Sequence, residues 1–327
     1  MSIPYIFMDC ILITSSGENK MKIALIIGIT GNFGSQMSLA MIRQGWKVKT
    51  LMRDSSKAPD YLDKSNVIEG NVNNKDDVLT AAQQVDVLFY AVSPAYHRWH
   101  LEALQMLEPC FQVAESLGLR VLFPGNVYNY QPNLTLISED IEQRPITDKG
   151  IIRQKMEQRL LKASQQGAKV SIVRSGDFIG PVMKSTWLEH MLKQKKNHWQ
   201  ISMAHNNTHT HFWSYLPDLC SNATLLLEQA ECDFEVWNDS GLALKTSDWQ
   251  KAFTANGVEA KITGFPWTTF KVIALFNAEL RDVIKMRYLW QEHIVLNGQK
   301  MKHKLAGKWV STPFEKILAK IITEANY

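Results

Sequence analysis

The segment Ala24–Val48, "ALIIGITGNFGSQMSLAMIRQGWKV", joins an apolar run, three spaced glycines and a stretch with helical periodicity. The pattern predicts a buried β-strand that turns through a glycine-rich loop into an α-helix and is followed by another strand. Gly28 allows the tight turn, Gly31 lets a pyrophosphate approach the backbone, and Gly34 lets the helix pack against the strand. Because such a loop places phosphates on the N–H groups at a helix N-terminus, the segment predicts a dinucleotide-binding site.

The end of the second predicted strand, "KTLMRDSSK" (residues 49–57), bears on the choice of nucleotide. A carboxylate at this strand end holds the free ribose 2′-hydroxyl of NAD, whereas an arginine accommodates the 2′-phosphate of NADP. Met52 stands at the carboxylate position and Arg53 follows it, which favours NADP. NAD remains possible, since Asp54 could reach the ribose instead.

The rest of the chain repeats this alternation of strand and helix. Short β-branched runs predict strands at residues 22–28, 47–52, 66–70, 86–92, 120–125 and 169–176, with helices near 34–43, 75–83, 100–117 and 149–163. The predicted fold class is α/β: a doubly wound parallel sheet of the Rossmann type over residues 21–180. Beyond Gly180 the elements become shorter and richer in Trp, His and Lys, which predicts a smaller C-terminal substrate-binding subdomain over 181–327.

Residues 1–20 are predicted to form an extension before this domain. They lack the basic leading segment of a secretory signal, and Asp9 interrupts their apolar stretch. Two alternatives stay open: translation could begin at Met21, or the segment could add an edge strand to the sheet.

Composition and charge exclude several classes of partner. The 327 residues are 45% apolar, and 36 basic and 32 acidic residues are scattered along the chain for a formal charge of +4. No block of like charge suggests a nucleic-acid arm, and no apolar run approaches a membrane span. The cysteines lie far apart without metal-ligand spacing, which is typical of reduced thiols in a cytoplasmic protein. The expected partner is a small-molecule substrate.

Several motifs resemble the extended short-chain dehydrogenase/reductases of the NAD-dependent epimerase/dehydratase family. The resemblance runs from about Met21 to the C-terminus and is carried by "GITGNFG", "EGNVNNKDDV", "DVLFYAVSP", "VYNYQP" and "IVRSGDFIGP". In addition, "FWSYLPDLCSNATLLL" resembles the family segment in which an Asp opens a helix that returns to the nucleotide domain. The resemblance therefore implies that residues 214–240 return to that domain.

The resemblance also implies a set of cofactor contacts at the strand ends. They are Gly28, Thr30, Gly31, Asn32, Phe33 and Gly34 at the phosphates, Asn71 and Val72 at the adenine, Ala91, Val92 and Ser93 towards the ribose and nicotinamide, and Phe178 and Ile179 near the nicotinamide. For the apolar members, ordinary packing at a strand end is the alternative.

The catalytic positions are where the chain departs from the family. In the usual pattern a Ser and a Tyr bind the reacting oxygen, and a Lys four residues after the Tyr holds the nicotinamide ribose and lowers the Tyr pKa. In "KGIIRQK" (residues 149–155), Ile151 is expected at the tyrosine position and Lys155 at the lysine position. Pro124 and Gly125 stand where the serine is expected, so the chain is placed in a subgroup that lacks the usual Ser and Tyr.

A replacement acid could come from three residues that follow neighbouring strands. Tyr128 and Asn126 lie just after the fifth strand, and Tyr96 lies on the loop after the fourth, which faces the same crevice. With Lys155 they are the candidate catalytic residues. Three functions remain open: an oxidoreductase or epimerase-like enzyme for a small carbonyl, alcohol or sugar-like substrate, a non-catalytic NADP(H) sensor, and a lyase or isomerase that uses the cofactor transiently.

Two further expectations concern a metal and an oligomer. His205, His209 and His211 lie close together, but their spacing is irregular and no carboxylate accompanies them, so no metal site is predicted. They are expected to shape a substrate-side loop or strand. The long helices at 100–117 and 149–163 resemble those through which related proteins dimerise, which implies a possible homodimer.

Overall fold

The computed structural model describes residues 21–132, 134, 136–180, 183, 186–196, 198–204, 210–292 and 294–325. The predicted N-terminal extension, residues 1–20, lies outside the described residues, as do His205 and His209. Within the described part, no helix is long and apolar enough to cross a membrane.

The strands alternate with helices through the first half of the chain and become shorter in the second half. The strands are β1 Ile23–Ile27, β2 Lys47–Met52, β3 Val67–Glu69, β4 Val87–Tyr90, β5 Arg120–Gly125, β6 Lys169–Arg174, β7 Asp177–Ile179, β8 Leu192–Gln194, β9 Trp199–Met203, β10 His211–Tyr215, β11 Phe234–Asn238, β12 Leu242–Leu244 and β13 Ala260–Gly264. The helices are α1 Asn32–Arg43, α2 Lys75–Ala81, α3 Trp99–Leu117, α4 Asp148–Gln165, α5 Trp187–Met191, α6 Leu216–Glu228, α7 Thr246–Ala255, α8 Trp267–Ala274, α9 Ala278–Lys285, α10 Gln299–Leu305 and α11 Phe314–Ala325.

The main sheet has seven parallel strands in the order β11-β6-β5-β4-β1-β2-β3. The doubly wound Rossmann fold predicted from the sequence is confirmed, and its six predicted strands are present. The strand order reverses between β1 and β4, which is where ligands bind in open α/β sheets. The glycine loop after β1 and the loop after β4 both lie at this switch point.

Helices cover both faces of the main sheet. On one face, Leu107 and Phe111 of α3 and Ile152 and Leu160 of α4 belong to one buried apolar cluster. On the other face, α1 packs against α6, and Met37 and Leu219 belong to a second cluster. Burial on both faces explains why these strands are continuous apolar runs and do not alternate.

The second half of the chain builds a separate core around two small sheets, β12-β10-β7 and β13-β9-β8. Tyr130 and Ile137, from the long connection after β5, are completely buried in this core. The core of the second half is therefore built partly from a segment that was expected to belong to the nucleotide domain.

The chain also crosses back to the nucleotide half. Helix α6 and strand β11 pack there, where residues 214–240 were expected. Helix α10 also returns, since Met301 and Leu305 are buried in the cluster around α1 and α6. This second return was not predicted.

Candidate functional site

The glycine loop holds an open helix N-terminus at the switch point. Gly28 has a φ of +96°, in the left-handed region that favours glycine. Gly31 is the N-cap residue of α1, and no side chain caps the helix there. A Cβ at Gly34 would lie 2.0 Å from the carbonyl oxygen of Gly28, so only glycine allows the strand and helix to pack this closely. The exposed N-terminus of α1 has the arrangement that binds phosphate oxygens.

Other residues expected to contact the cofactor lie near this loop and differ in their exposure to solvent. Thr30 and Ser93 are exposed, while Asn32, Ala91 and Val92 are half-buried beside the glycines. These five lie at the carboxyl edge of β1 and β4 and remain candidates for contact.

The aromatic residues near the loop mainly pack. Phe33 is buried and makes edge-to-face contacts with Phe89, at 5.2 Å, and with Phe178, at 5.3 Å between ring centroids. Half-buried Phe178 therefore remains close to the phosphate loop. Ile179 is completely buried in the core of the second half, so its side chain does not reach the nicotinamide side as expected.

The carboxyl ends of β2 and β3 show which polar groups are already engaged. Arg53 is exposed directly after β2 and has no ion-pair partner within the part of the chain that the structure describes. Asp54 accepts hydrogen bonds from the N–H of Ser56, at 3.1 Å, and from its hydroxyl, at 2.6 Å. The Asn71 side chain likewise accepts from the N–H of Asn73, at 3.0 Å, while Val72 packs against the core. Asp54 is thus committed locally, and Arg53 remains the candidate for contact with a nucleotide.

To the crevice at the carboxyl ends of β4 and β5, helix α4 presents different residues than the sequence suggested. Ile151 is 41% exposed, and Lys155 lies on the same exposed stripe of the helix. Lys149 and Arg153, which are also four residues apart, are only 4% and 8% exposed. The expected placement of Ile151 and Lys155 at the crevice is therefore wrong, and Lys149 and Arg153 stand there instead.

Arg153 lies under the carboxyl end of β5. Its guanidinium is 4.7 Å from the centre of the Phe123 ring and donates a hydrogen bond to the carbonyl oxygen of Pro124. Burial lowers the pKa of Arg153 to about 10, so the group is still a cation at neutral pH. A cation is therefore fixed beside the carboxyl end of β5.

Lys149 is held by the second half of the chain. Its Nζ forms an ion pair with Asp282 of α9 at 2.9 Å and donates to the backbone carbonyl of Tyr96. The ammonium also lies 4.5 Å from the centre of the Tyr96 ring and 5.6 Å from that of Trp99. Lys149 thus links α4, the loop after β4 and α9.

The structure brings the proposed phenols together. The half-buried side chains of Tyr96 and Tyr128 pack against the same core, and burial raises the pKa of both. Asn126 supports the turn below them, since its Oδ1 accepts from the N–H of Tyr128 at 3.0 Å. Its backbone carbonyl accepts from Arg174 at 2.7 Å. Asn126 is therefore built into the turn that carries Tyr128.

A small cavity of about 20 Å³, lined by Val127 next to Tyr128, extends into the second half. Asp177, the first residue of β7, contacts His211 at 2.8 Å, and the His211 ring stacks on Trp290 at 3.6 Å. Glu292 also lines the cavity. Sequence reasoning expected His211 to shape a substrate-side loop or strand and did not select Asp177. The signal for Asp177 was its place just after a predicted strand within "RSGDFIGP". No group of three metal-binding side chains occurs among the described residues, which exclude the other two clustered histidines.

A buried ion pair supports the floor of the crevice. Both Nη atoms of Arg174 donate to Glu157 of α4, at 2.8 and 2.7 Å, and both side chains are nearly inaccessible to solvent. This pair holds α4 against β6 and so fixes the position of Arg153, one turn earlier on the same helix.

Fold and site together define a Rossmann-type dinucleotide-binding protein with a crevice between its two halves. Residues 24–238 match the family model for the NAD dependent epimerase/dehydratase family. The chain belongs to this family, as its motifs suggested.

Solved structures agree on the fold. MoeE5 in complex with UDP-glucuronic acid and NAD is 14% identical, with a TM-score of 0.70 over 93% of this chain and 99% of that chain. The UDP-glucose 4-epimerase of Thermus thermophilus in complex with NAD is 14% identical, with a TM-score of 0.67 over 93% and 99%. A putative epimerase from Burkholderia cenocepacia J2315 is 14% identical, with a TM-score of 0.71 over 94% and 100%. A search of curated proteins found no match.

Proposed function

We propose that this protein is an NADP(H)-dependent oxidoreductase of the epimerase/dehydratase family that acts on a small carbonyl, alcohol or sugar-like substrate. The observation that carries the proposal is the presence of Tyr96 and Tyr128 on one core at the carboxyl edge of the sheet, with Tyr96 beside Lys149. Arg153 lies on the floor of the same crevice, and the glycine loop lies at the neighbouring strand end. Phosphate site, cation and phenols thus share one edge of the sheet.

The phenols are suited to bind a substrate carbonyl. NADPH, when bound, would supply a hydride to the carbonyl carbon. A Tyr96 or Tyr128 hydroxyl would donate a hydrogen bond to the carbonyl oxygen and then give up its proton, which completes the alcohol. Because burial raises the pKa of both groups, they are protonated at neutral pH and can act as such donors. Solvent then returns the proton to the phenol pair.

The proposal is tested by following NADPH oxidation at 340 nm with a panel of aldehydes, ketones and sugar nucleotides. Turnover with a member of the panel supports the proposal. If NADPH binds but is not oxidised with any class of carbonyl, the proposed activity is excluded.

Arg53 should decide the choice between NADP and NAD. Changing Arg53 to Ala is expected to weaken NADP binding by about 1.5 to 3 kcal/mol, the range for a hydrogen bond to a charged group, and to leave NAD binding unchanged. Calorimetric dissociation constants for both nucleotides check this. Lys57→Ala is the matched control, because Lys57 is a cation on the same loop that already pairs with Asp54. Equal NADP affinity in the Arg53 variant and the parent would remove Arg53 from the site.

Arg153 has the ribose-binding role that was expected for Lys155. A guanidinium at this place can donate to ribose hydroxyls, so Arg153→Met should lower NADP affinity by about 1.5 to 3 kcal/mol. Lys155→Ala should have no effect, since Lys155 lies on the exposed stripe of α4. Titration calorimetry with both variants gives the comparison. A loss of affinity in Lys155→Ala would restore the original assignment.

A sensor without turnover is the second candidate, and one observation favours it. Lys149 occupies the inward position of α4 four residues before Arg153, and its ammonium is already paired with Asp282. No phenol stands on this face of the helix, so the usual tyrosine-driven proton exchange is absent.

A homodimer also remains a proposal. Helices α3 and α4 pack against each other and leave apolar side chains exposed. These are Leu101, Leu104, Leu117, Ile151 and Leu161, which are 37% to 59% exposed. An apolar surface on the expected pair of helices supports the prediction.

A further inference from the structure

Helices α8 and α9 form a hairpin over the mouth of the crevice. Helix α9 has no completely buried residue, and in α8 only Ala274 is buried. At the tip between the helices, Leu275 is 68% and Phe276 is 90% exposed. Trp267 and Phe270 of α8 pack against the core of the second half, but little apolar surface holds α9 and the tip. Segments of this kind open at low cost.

Two ion pairs attach this hairpin to α4. Asp282 contacts Lys149 at 2.9 Å and Lys285 at 3.2 Å, and Lys285 lies 3.6 Å from Asp148. Burial opposes ionisation of Asp282, but the two lysines outweigh it and lower its pKa. The carboxylate of Asp282 thus sits as an anion on the crevice lysine.

Under the hairpin, the buried cations outnumber the carboxylates that pair with them. Lys149, Arg153 and Arg174 are buried cations, whereas Glu157 and Asp282 are the carboxylates that pair with them. Glu157 pairs with Arg174, and among the described residues Arg153 has no carboxylate within ion-pair distance. Its buried Nε also has no hydrogen-bond partner. An uncompensated buried charge is costly, so the crevice is suited to an additional anion.

We propose that the substrate carries a carboxylate, which replaces Asp282 on Lys149 when the hairpin lifts. The proposal rests on the proposed function and specifies its substrate class as small 2-oxo or hydroxy acids. The carboxylate then pairs with Lys149 and is also attracted by the positive charge of Arg153. In this position the reacting carbonyl is directed towards Tyr96 and Tyr128. Asp282 acts as an internal competitor that fills the anion site until a ligand arrives.

The test measures binding and does not depend on turnover. The NADP⁺-loaded protein is titrated calorimetrically with 2-oxo acids of about three to six carbons and with the matching primary amides, which have the same shape without the charge. In the parent, at least one acid should bind about tenfold more tightly than its amide, in line with a charge-assisted bond. Asp282→Asn should strengthen acid binding by about three- to tenfold and leave the amides unchanged.

Three variants separate a specific site from a general effect of charge. Lys149→Met should abolish the preference for acids over amides. Glu279→Gln is the matched control for Asp282→Asn, because Glu279 is an exposed carboxylate on the same helix and should leave acid binding at the parent value. If Lys149→Met fails to fold, Asp282→Asn alone decides.

The outcomes distinguish this inference from the proposed activity. Acids that bind no better than amides in both the parent and Asp282→Asn overturn the anion site. If acids bind as expected but NADPH is never oxidised, the site stands and the oxidoreductase proposal fails. If neutral carbonyls are reduced and acids do not compete with them, the activity stands and the anion site fails.

Discussion

Gly31→Val is expected to abolish NADP(H) binding in a protein that still folds. Gly31 has φ −82° and ψ 163°, which valine adopts readily. A Cβ there would meet only the carbonyl oxygen of Gly28, at 3.4 Å, so the native loop has room for it. The branched side chain would instead occupy the space of the pyrophosphate. Calorimetry should show no NADP(H) binding, and circular dichroism should match the parent.

A second glycine in the same loop provides the contrast. At Gly34 a Cβ would lie 2.0 Å from the oxygen and 2.6 Å from the carbon of the Gly28 carbonyl, and backbone cannot yield as a flexible side chain can. Gly34→Ala should therefore lower the thermal unfolding temperature sharply or prevent folding. NADP(H) binding at parent affinity by Gly31→Val would show that the phosphates lie elsewhere.

Tyr128→Phe should lower turnover by about 10² to 10⁴ while changing cofactor affinity little, the range for loss of a positioned proton donor. Tyr128 lies just after β5 and packs against the same core as Tyr96. If Tyr96 is the donor to the substrate, Tyr96→Phe gives the large loss and Tyr128→Phe the smaller one. Steady-state NADPH oxidation with a substrate found in the panel gives kcat for each variant.

Tyr61→Phe serves as the control for removal of a phenol. Tyr61 is 43% exposed on the nucleotide half, and its hydroxyl contacts Ser38 at 2.7 Å, away from the phenol pair. Its loss should leave kcat unchanged. Full activity in both Tyr96→Phe and Tyr128→Phe would show that neither phenol replaces the usual tyrosine as the proton donor.

The nucleotide half was predictable because each of its signals is local. A buried parallel strand is a short β-branched run, and β2 and β5 begin and end at the predicted residues. The glycine loop needs only neighbouring residues to define its turn. Strand β11, "FEVWN", was not predicted because its position depends on pairing with β6, about sixty residues earlier in the chain.

The crevice face of α4 was misjudged for a physical reason. Ile151 is apolar and stands four residues before a lysine, so spacing alone drew attention to the wrong pair. The apolar stripe of Ile152, Met156 and Leu160 sets the rotation of the helix, and all three are buried. This stripe was visible in the sequence and places Lys149 and Arg153 beside the sheet. Asp282, by contrast, lies more than a hundred residues away, and only the folded chain reveals that it meets Lys149.

The returns of α6, β11 and α10 to the nucleotide half determine how the molecule can be divided. A fragment ending near Gly180 would leave β6 as an unpaired edge and uncover the face of α1 that α6 protects. Open strand edges and bare apolar faces promote aggregation. The second half of the chain therefore cannot be exchanged between relatives by recombination at a single position. A chimaera that preserves the fold must take α6, β11 and α10 from the same parent protein as the nucleotide-binding half.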